Sequence, residues 1–134
     1  MNPSNINWLA VAVAAISAFL TGAIWYSPIA FAKQWMQENK FTAADMQQSN
    51  KGKVFGMSFF FEAIIAVNLA FFLATPNTTA SWGATAGFLT GIWLFCAIAV
   101  TALFENRSWK YIFINGLYHL VALTLMGLII GAWR

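Results

Sequence analysis

Charge is what this sequence has least of. Its 134 residues include only seven lysines and arginines and four aspartates and glutamates, so 8% of the chain is charged. A soluble domain carries roughly a quarter. Cysteine and histidine occur once each, as Cys96 and His119. One cysteine excludes an internal disulfide. No set of His, Cys and carboxylates has metal-site spacing, no phosphate-binding loop or nucleophile elbow is present, and no cofactor is expected. A conventional hydrolase is not expected either. The basic residues form no run, so a pI near 9.3 is a poor argument for nucleic acid, which is not an expected partner.

What is there is apolar. Hydrophobic residues make up 60% of the chain and the mean hydropathy is +0.68, which points to a membrane protein with the lipid bilayer as its first partner. The length fits one domain, residues 1–134, with no appended soluble module. A membrane-crossing helix needs about 20 apolar residues at about 1.5 Å rise each. Four segments qualify, at about residues 6–26, 54–74, 81–104 and 111–133. The expected fold is therefore all-α, an integral membrane bundle of four transmembrane helices. The first span has an uncharged n-region and too long an apolar run for a signal peptide, so it is expected to stay uncleaved.

Tryptophan and tyrosine mark the span ends. Trp8, Trp82 and Trp133 fall at one set, and Trp25, Tyr26, Trp109 and Tyr111 at the other, as expected for two headgroup belts. Trp93 lies well inside the third span. Small residues recur every fourth position: Ala10, Ala14, Ala18 and Gly22 in the first span, Gly83, Gly87 and Gly91 in the third, Gly127 and Gly131 in the fourth. Such stripes let backbones approach closely and are read as packing seams.

The connections are unequal. Ser27-Pro28 ends the first span, because proline disfavours helical geometry before it. In the linker 27–53, Ile29, Ala32, Trp35 and Met36 recur at helical spacing opposite Lys33, Gln34, Gln37 and Glu38. That pattern predicts a short helix in the headgroup plane. Thr42 followed by Asp45 predicts a second one, ending near Ser49-Asn50. Lys33, Lys40, Lys51 and Lys53 lie in this linker and Arg107 and Lys110 in the last, against Arg134 alone on the other side. The bias predicts linkers 27–53 and 105–110 in the cytoplasm and both termini external.

Two polar residues sit deep in the spans. Glu62 comes nine residues after Lys53 and His119 nine after Lys110, which puts both at one depth, roughly 13 Å along their helices. Ser58 precedes Glu62 by one turn, and Asn115 precedes His119. The stripes Ser58/Glu62 and Asn115/His119 are expected to face each other across a cavity walled by Trp25, Tyr26 and Tyr118. Intramembrane ionisable groups are costly and mark functional sites, yet polar residues also fasten helices together. Both readings stay open, as does the choice between an ion pair and a neutral pair. Asn68 is read as such a fastening, Cys96 as a small buried hydrophobe, and Glu105 with Arg107 as a solvated pair.

Gly22-Ala-Ile-Trp25-Tyr26-Ser27-Pro28, Lys33-Gln-Trp35-Met36, Phe104-Glu105, Asn115-Gly-Leu-Tyr118-His119-Leu and Gly127-Leu-Ile-Ile-Gly131-Ala-Trp133 together resemble a small bacterial membrane family, domain of unknown function 1761. The resemblance covers nearly the whole chain. It implies a four-helix inner-membrane protein and no established activity. The leading expectation is a pocket for an apolar or amphipathic small molecule or lipid. A structural or accessory subunit, docked on a larger complex or on copies of itself, is the second. A proton-coupled transporter is the third; four short helices with one membrane glutamate are similar to the small multidrug-resistance proteins, although the charge bias argues against dual insertion. An isomerase has no motif to support it.

Overall fold

A computed structural model describes residues 2–134. After a 3-10 turn at Pro3–Asn5 come α1 (Trp8–Trp25), α2 (Ala32–Asn39), α3 (Ala43–Gln48), α4 (Lys51–Phe72), α5 (Ala80–Phe104) and α6 (Trp109–Ala132). The described residues contain no strand. α1, α4, α5 and α6 are each long and apolar enough to cross a bilayer, the mark of a multi-pass membrane protein.

Each of these four helices begins on a polar cap. The side chains of Asn7, Asn50, Thr79 and Ser108 accept hydrogen bonds from first-turn amides of α1, α4, α5 and α6. An apolar window would leave those first-turn donors unmet. The caps also explain why α4 starts earlier than hydropathy predicts: Asn50 opens the helix, and Lys51 and Lys53 lie within its first turn.

The chain turns out of α1 at Ser27, whose hydroxyl donates to Ile24 O while the Phe31 amide returns to Trp25 O. The two short helices predicted in the linker are α2 and α3. α2 stops at Lys40, which adopts a left-handed φ of 55°. α3 starts with a complete capping box between Thr42 and Asp45. The Thr42 amide and hydroxyl both donate to Asp45, which holds its carboxyl below the ordinary 3.8. Since the folded value is depressed, the cap supports α3 above the ordinary value and fails as pH falls through the folded one. A label on α3 should therefore report fraying below about pH 4, and Asp45→Asn should remove that acid step.

The core draws on all four long helices, with Ala86 as the buried contribution of α5. Val11, Ala14, Ala15 and Ala18 of α1 meet Ala66, Leu69 and Ala70 of α4 and Tyr118, Ala122, Leu123, Met126 and Ile130 of α6. The alanine stripe of the first span is thus a buried seam. α5 stands against α6 through the glycines. A Cβ at Gly83 would overlap Gly127 O, one at Gly87 would overlap Leu123 O, and one at Gly91 would sit 2.7 Å from the Cα of Leu120. The predicted tight seam therefore exists within the bundle. Gly116 makes room for the Phe95 ring in the same way.

At the end holding both termini, Arg134 donates to Leu73 O at 3.0 Å and the Asn2 amide to Ala74 O. At the linker end, Ser108 donates to Glu38, tying α2 to the start of α6. Three expectations fail here. Cys96 is exposed. Asn68 is exposed and donates to Ile64 O of its own helix, so it fastens nothing. Its place on the outer face, 120° from Glu62 at 100° per residue, is the reason. Ser58 also lies on the surface, donating to Val54 O. α4 is exposed from Lys51 to Phe61, and burial begins at Glu62. Trp93 faces outward, 68% exposed.

Candidate functional site

Glu62 is brought inward because α4 packs on α1 along the face that carries Glu62, Ala66, Leu69 and Ala70. It is 7% exposed, as is Tyr118. The Tyr118 hydroxyl donates to Glu62 Oε1 at 2.8 Å and also lies 3.2 Å from Ala18 O. One proton faces two acceptors, and α1, α4 and α6 meet at that hydroxyl. Gly22 permits the arrangement: a Cβ there would stand 3.2 Å from the tyrosine oxygen. Glu62 Oε2 is buried and has no hydrogen-bond partner.

His119 is not bonded to Glu62. No hydrogen bond or ion pair joins them among the described residues, and the ion pair present is Arg107–Glu105 at 3.7 Å on the surface. Tyr118 takes the carboxylate instead, because consecutive residues on a helix point about 100° apart. His119 therefore projects to a different side of α6. It remains next to the site: its ring centroid is 4.8 Å from that of Tyr118, and its Nδ1 is buried without a partner.

The aromatic roof is present and is fastened to α6. Trp25 Nε1 donates to Ile114 O at 2.9 Å, and the Tyr26 hydroxyl donates to Asn115 Oδ1 at 2.9 Å. Asn115 in turn donates to Tyr111 O. Tyr26 stacks edge-on against Tyr118 at 5.5 Å and against Trp35 of α2 at 5.7 Å. The fold thus gathers Glu62, Tyr118, His119, Asn115, Tyr26 and Trp25, and leaves out Ser58.

Three parts of this constellation are not among the site residues expected from the sequence. Trp35 reads there as part of an interfacial helix, and Gly22 as a packing position. Ala18 O carries no sequence signal. Two concavities lie away from these residues. One, about 310 Å³ and open to the surface, is lined by Ala97, Ile98, Thr101, Ala102, Glu105 and Tyr111. The other, about 10 Å³, lies near Ile6 and Leu73. Neither is lined by Glu62 or His119. No three His, Cys, Asp or Glu residues among those described converge on a metal site.

No curated protein and no solved structure matches the chain. Its alanine and glycine seams, the Trp25-Tyr26-Ser27-Pro28 corner and the Asn115 to His119 stretch all fall within residues 9–131, which match the family described as "Protein of unknown function (DUF1761)", and the chain belongs to that family.

Proposed function

We propose that this protein, a single membrane domain, holds the polar end of an apolar or amphipathic molecule at Glu62 and Tyr118, with Trp25, Tyr26, Asn115 and His119 around it. The observation that carries this reading is Glu62 Oε2, a buried carboxylate oxygen with no partner. A buried polar group left unpaired costs about 1–3 kcal/mol, more when charged, and a ligand donor would recover that. The apolar body of the ligand would lie along Phe60 and Phe61, exposed just before Glu62. Access to Glu62 would require the exposed first half of α4 to move, against the stacking of Phe19 of α1 on Phe55 and Phe59.

A second reading has its own support. The Tyr118 hydroxyl joins three helices, which is what a fastening does, and a purely structural subunit of a larger complex or self-oligomer needs no more. Native mass spectrometry of the purified protein separates the two. Ligand binding predicts a retained small molecule that is lost in Glu62→Gln while the fold persists. A fastening predicts no retained molecule and a lower melting temperature.

The proposed setting is the bacterial inner membrane, with linkers 27–53 and 105–110 cytoplasmic. Lys33, Lys40, Lys51, Lys53, Arg107 and Lys110 are all exposed at that end, where the positive-inside bias acts. Reporters fused after Lys40 and after Arg134 should give opposite compartments. The same compartment for both would overturn the orientation.

A further inference from the structure

The chemistry around Glu62 also decides what charge a ligand can bring. Glu62 receives one donor proton, that of Tyr118 on Oε1, and Oε2 receives none. The surrounding groups are helical backbone, whose amides are already used, and aromatic faces. Tyr118, Tyr26 and Trp35 present rings in a continuous chain. The lysines, and Arg107, are on the surface at the linker end, and Arg134 is committed to Leu73 O at the other. No cationic side chain is therefore available to hold a phosphate or carboxylate headgroup, and His119 is the only ionisable nitrogen nearby. An anion would face Glu62 across a low-dielectric gap, where like charges repel strongly. A neutral hydroxyl could satisfy one oxygen, whereas an ammonium also supplies the counter-charge that an ionised carboxylate needs in such surroundings.

We infer that the molecule held at Glu62 is a cationic amine amphiphile, its ammonium donating to Oε2 and resting against the Tyr118 and Tyr26 rings. This rests on the binding reading above and names its ligand class. Ammonium groups bind both partners at once: a carboxylate by charge-assisted hydrogen bonds and aromatic faces by their quadrupole. The alkyl chain needs no built cavity, because α4 is bare from Lys51 to Phe61 and the chain can stay in lipid. The site selects a headgroup and leaves the tail to the bilayer.

Three probes with one tail separate the classes: dodecylamine, dodecanol and dodecanoate, titrated calorimetrically into the full chain in a neutral detergent. Dodecylamine should bind about tenfold or more tightly than dodecanol, dodecanoate should not bind, and Glu62→Gln should weaken the amine by about tenfold to a hundredfold. A measurement on the unaltered protein guards against a misfolded variant. Dicyclohexylcarbodiimide labels carboxyls in apolar surroundings, and N,N-dimethyldodecylamine, a tertiary amine that cannot form an amide with the activated carboxyl, should protect Glu62, mapped by peptide mass, while dodecanoate should not. Equal binding of amine and alcohol, or Glu62-dependent binding of dodecanoate, would overturn the cationic class and leave the binding reading intact. If no probe binds in a Glu62-dependent way and none protects Glu62 from the carbodiimide, both readings fall.

Discussion

Gly87→Leu is expected to be the most damaging single substitution outside the polar site. Even one methyl at Gly87 would overlap the Leu123 carbonyl. That obstacle is backbone, which cannot rotate away as a side chain can. Overpacking a core costs about 1–3 kcal/mol when side chains can shift. Here α5 and α6 must separate, and the neighbouring contacts at Gly83 and Gly91 are lost with them. A loss of at least about 3 kcal/mol should follow, read as a collapse of the detergent melting transition. Gly56→Leu is the matched control. Nothing lies within 4 Å of a Cβ there, and glycine within a helix costs roughly 0.5–1 kcal/mol relative to alanine. The control should melt at or above the parent temperature. Equal melting of both variants would show that close approach of α5 and α6 is not what stabilises the bundle.

The second large effect is expected from the Glu62–Tyr118 pair. Tyr118→Phe removes the only donor to Glu62 among the described residues and, with it, the tie of α6 to both α1 and α4. Leaving a buried carboxylate unserved should cost about 1–3 kcal/mol. Glu62→Gln alone should cost less, because the amide oxygen can still accept from Tyr118. Coupling in the double mutant should be on the order of 0.6 kcal/mol and no more than about 1.7, the average and the maximum for hydrogen bonds between membrane helices. His119→Gln should couple to Glu62→Gln more weakly, since no bond joins the two residues. Stronger coupling of Glu62 to His119 than to Tyr118 would contradict the geometry.

The four spans, the linker helices and the seams were legible because each rests on a local signal. Length, apolar content and the spacing of small residues are enough to place α1, α4, α5 and α6. Thr42 and Asp45 announce α3 by the same logic that makes a capping box. That Glu62 and His119 lie at one level of the bundle, both beside Tyr118, was also legible, as a matter of counting from Lys53 and Lys110. Their relative direction was not. Depth depends on helical rise, which tolerates small errors, whereas facing depends on rotation, where one residue is about 100°. Tyr118 and His119 are adjacent, and that single step decided which of them meets the carboxylate. Ser58 failed for another reason. It shares a helix face with Glu62, but at that level α1 meets α4 through Phe19 on Phe55 and Phe59 and leaves Ser58 uncovered, which no sequence pattern states.

The same distribution of contacts fixes an order of assembly. α5 and α6 are joined by a four-residue turn, 105–108, and can close their glycine seam as soon as both leave the ribosome. α1 has no such neighbour. Its indole and carbonyl partners lie on α6, 89 and 100 residues further along, and α4 offers it an alanine face but no hydrogen bond among those described. During synthesis α1 and α4 must therefore wait in the lipid as a loose pair, with Glu62 unserved until Tyr118 arrives. In that interval the unserved carboxylate is most exposed to the lipid, and a quality-control protease that recognises polar residues in lipid would have its best opportunity before α6 docks.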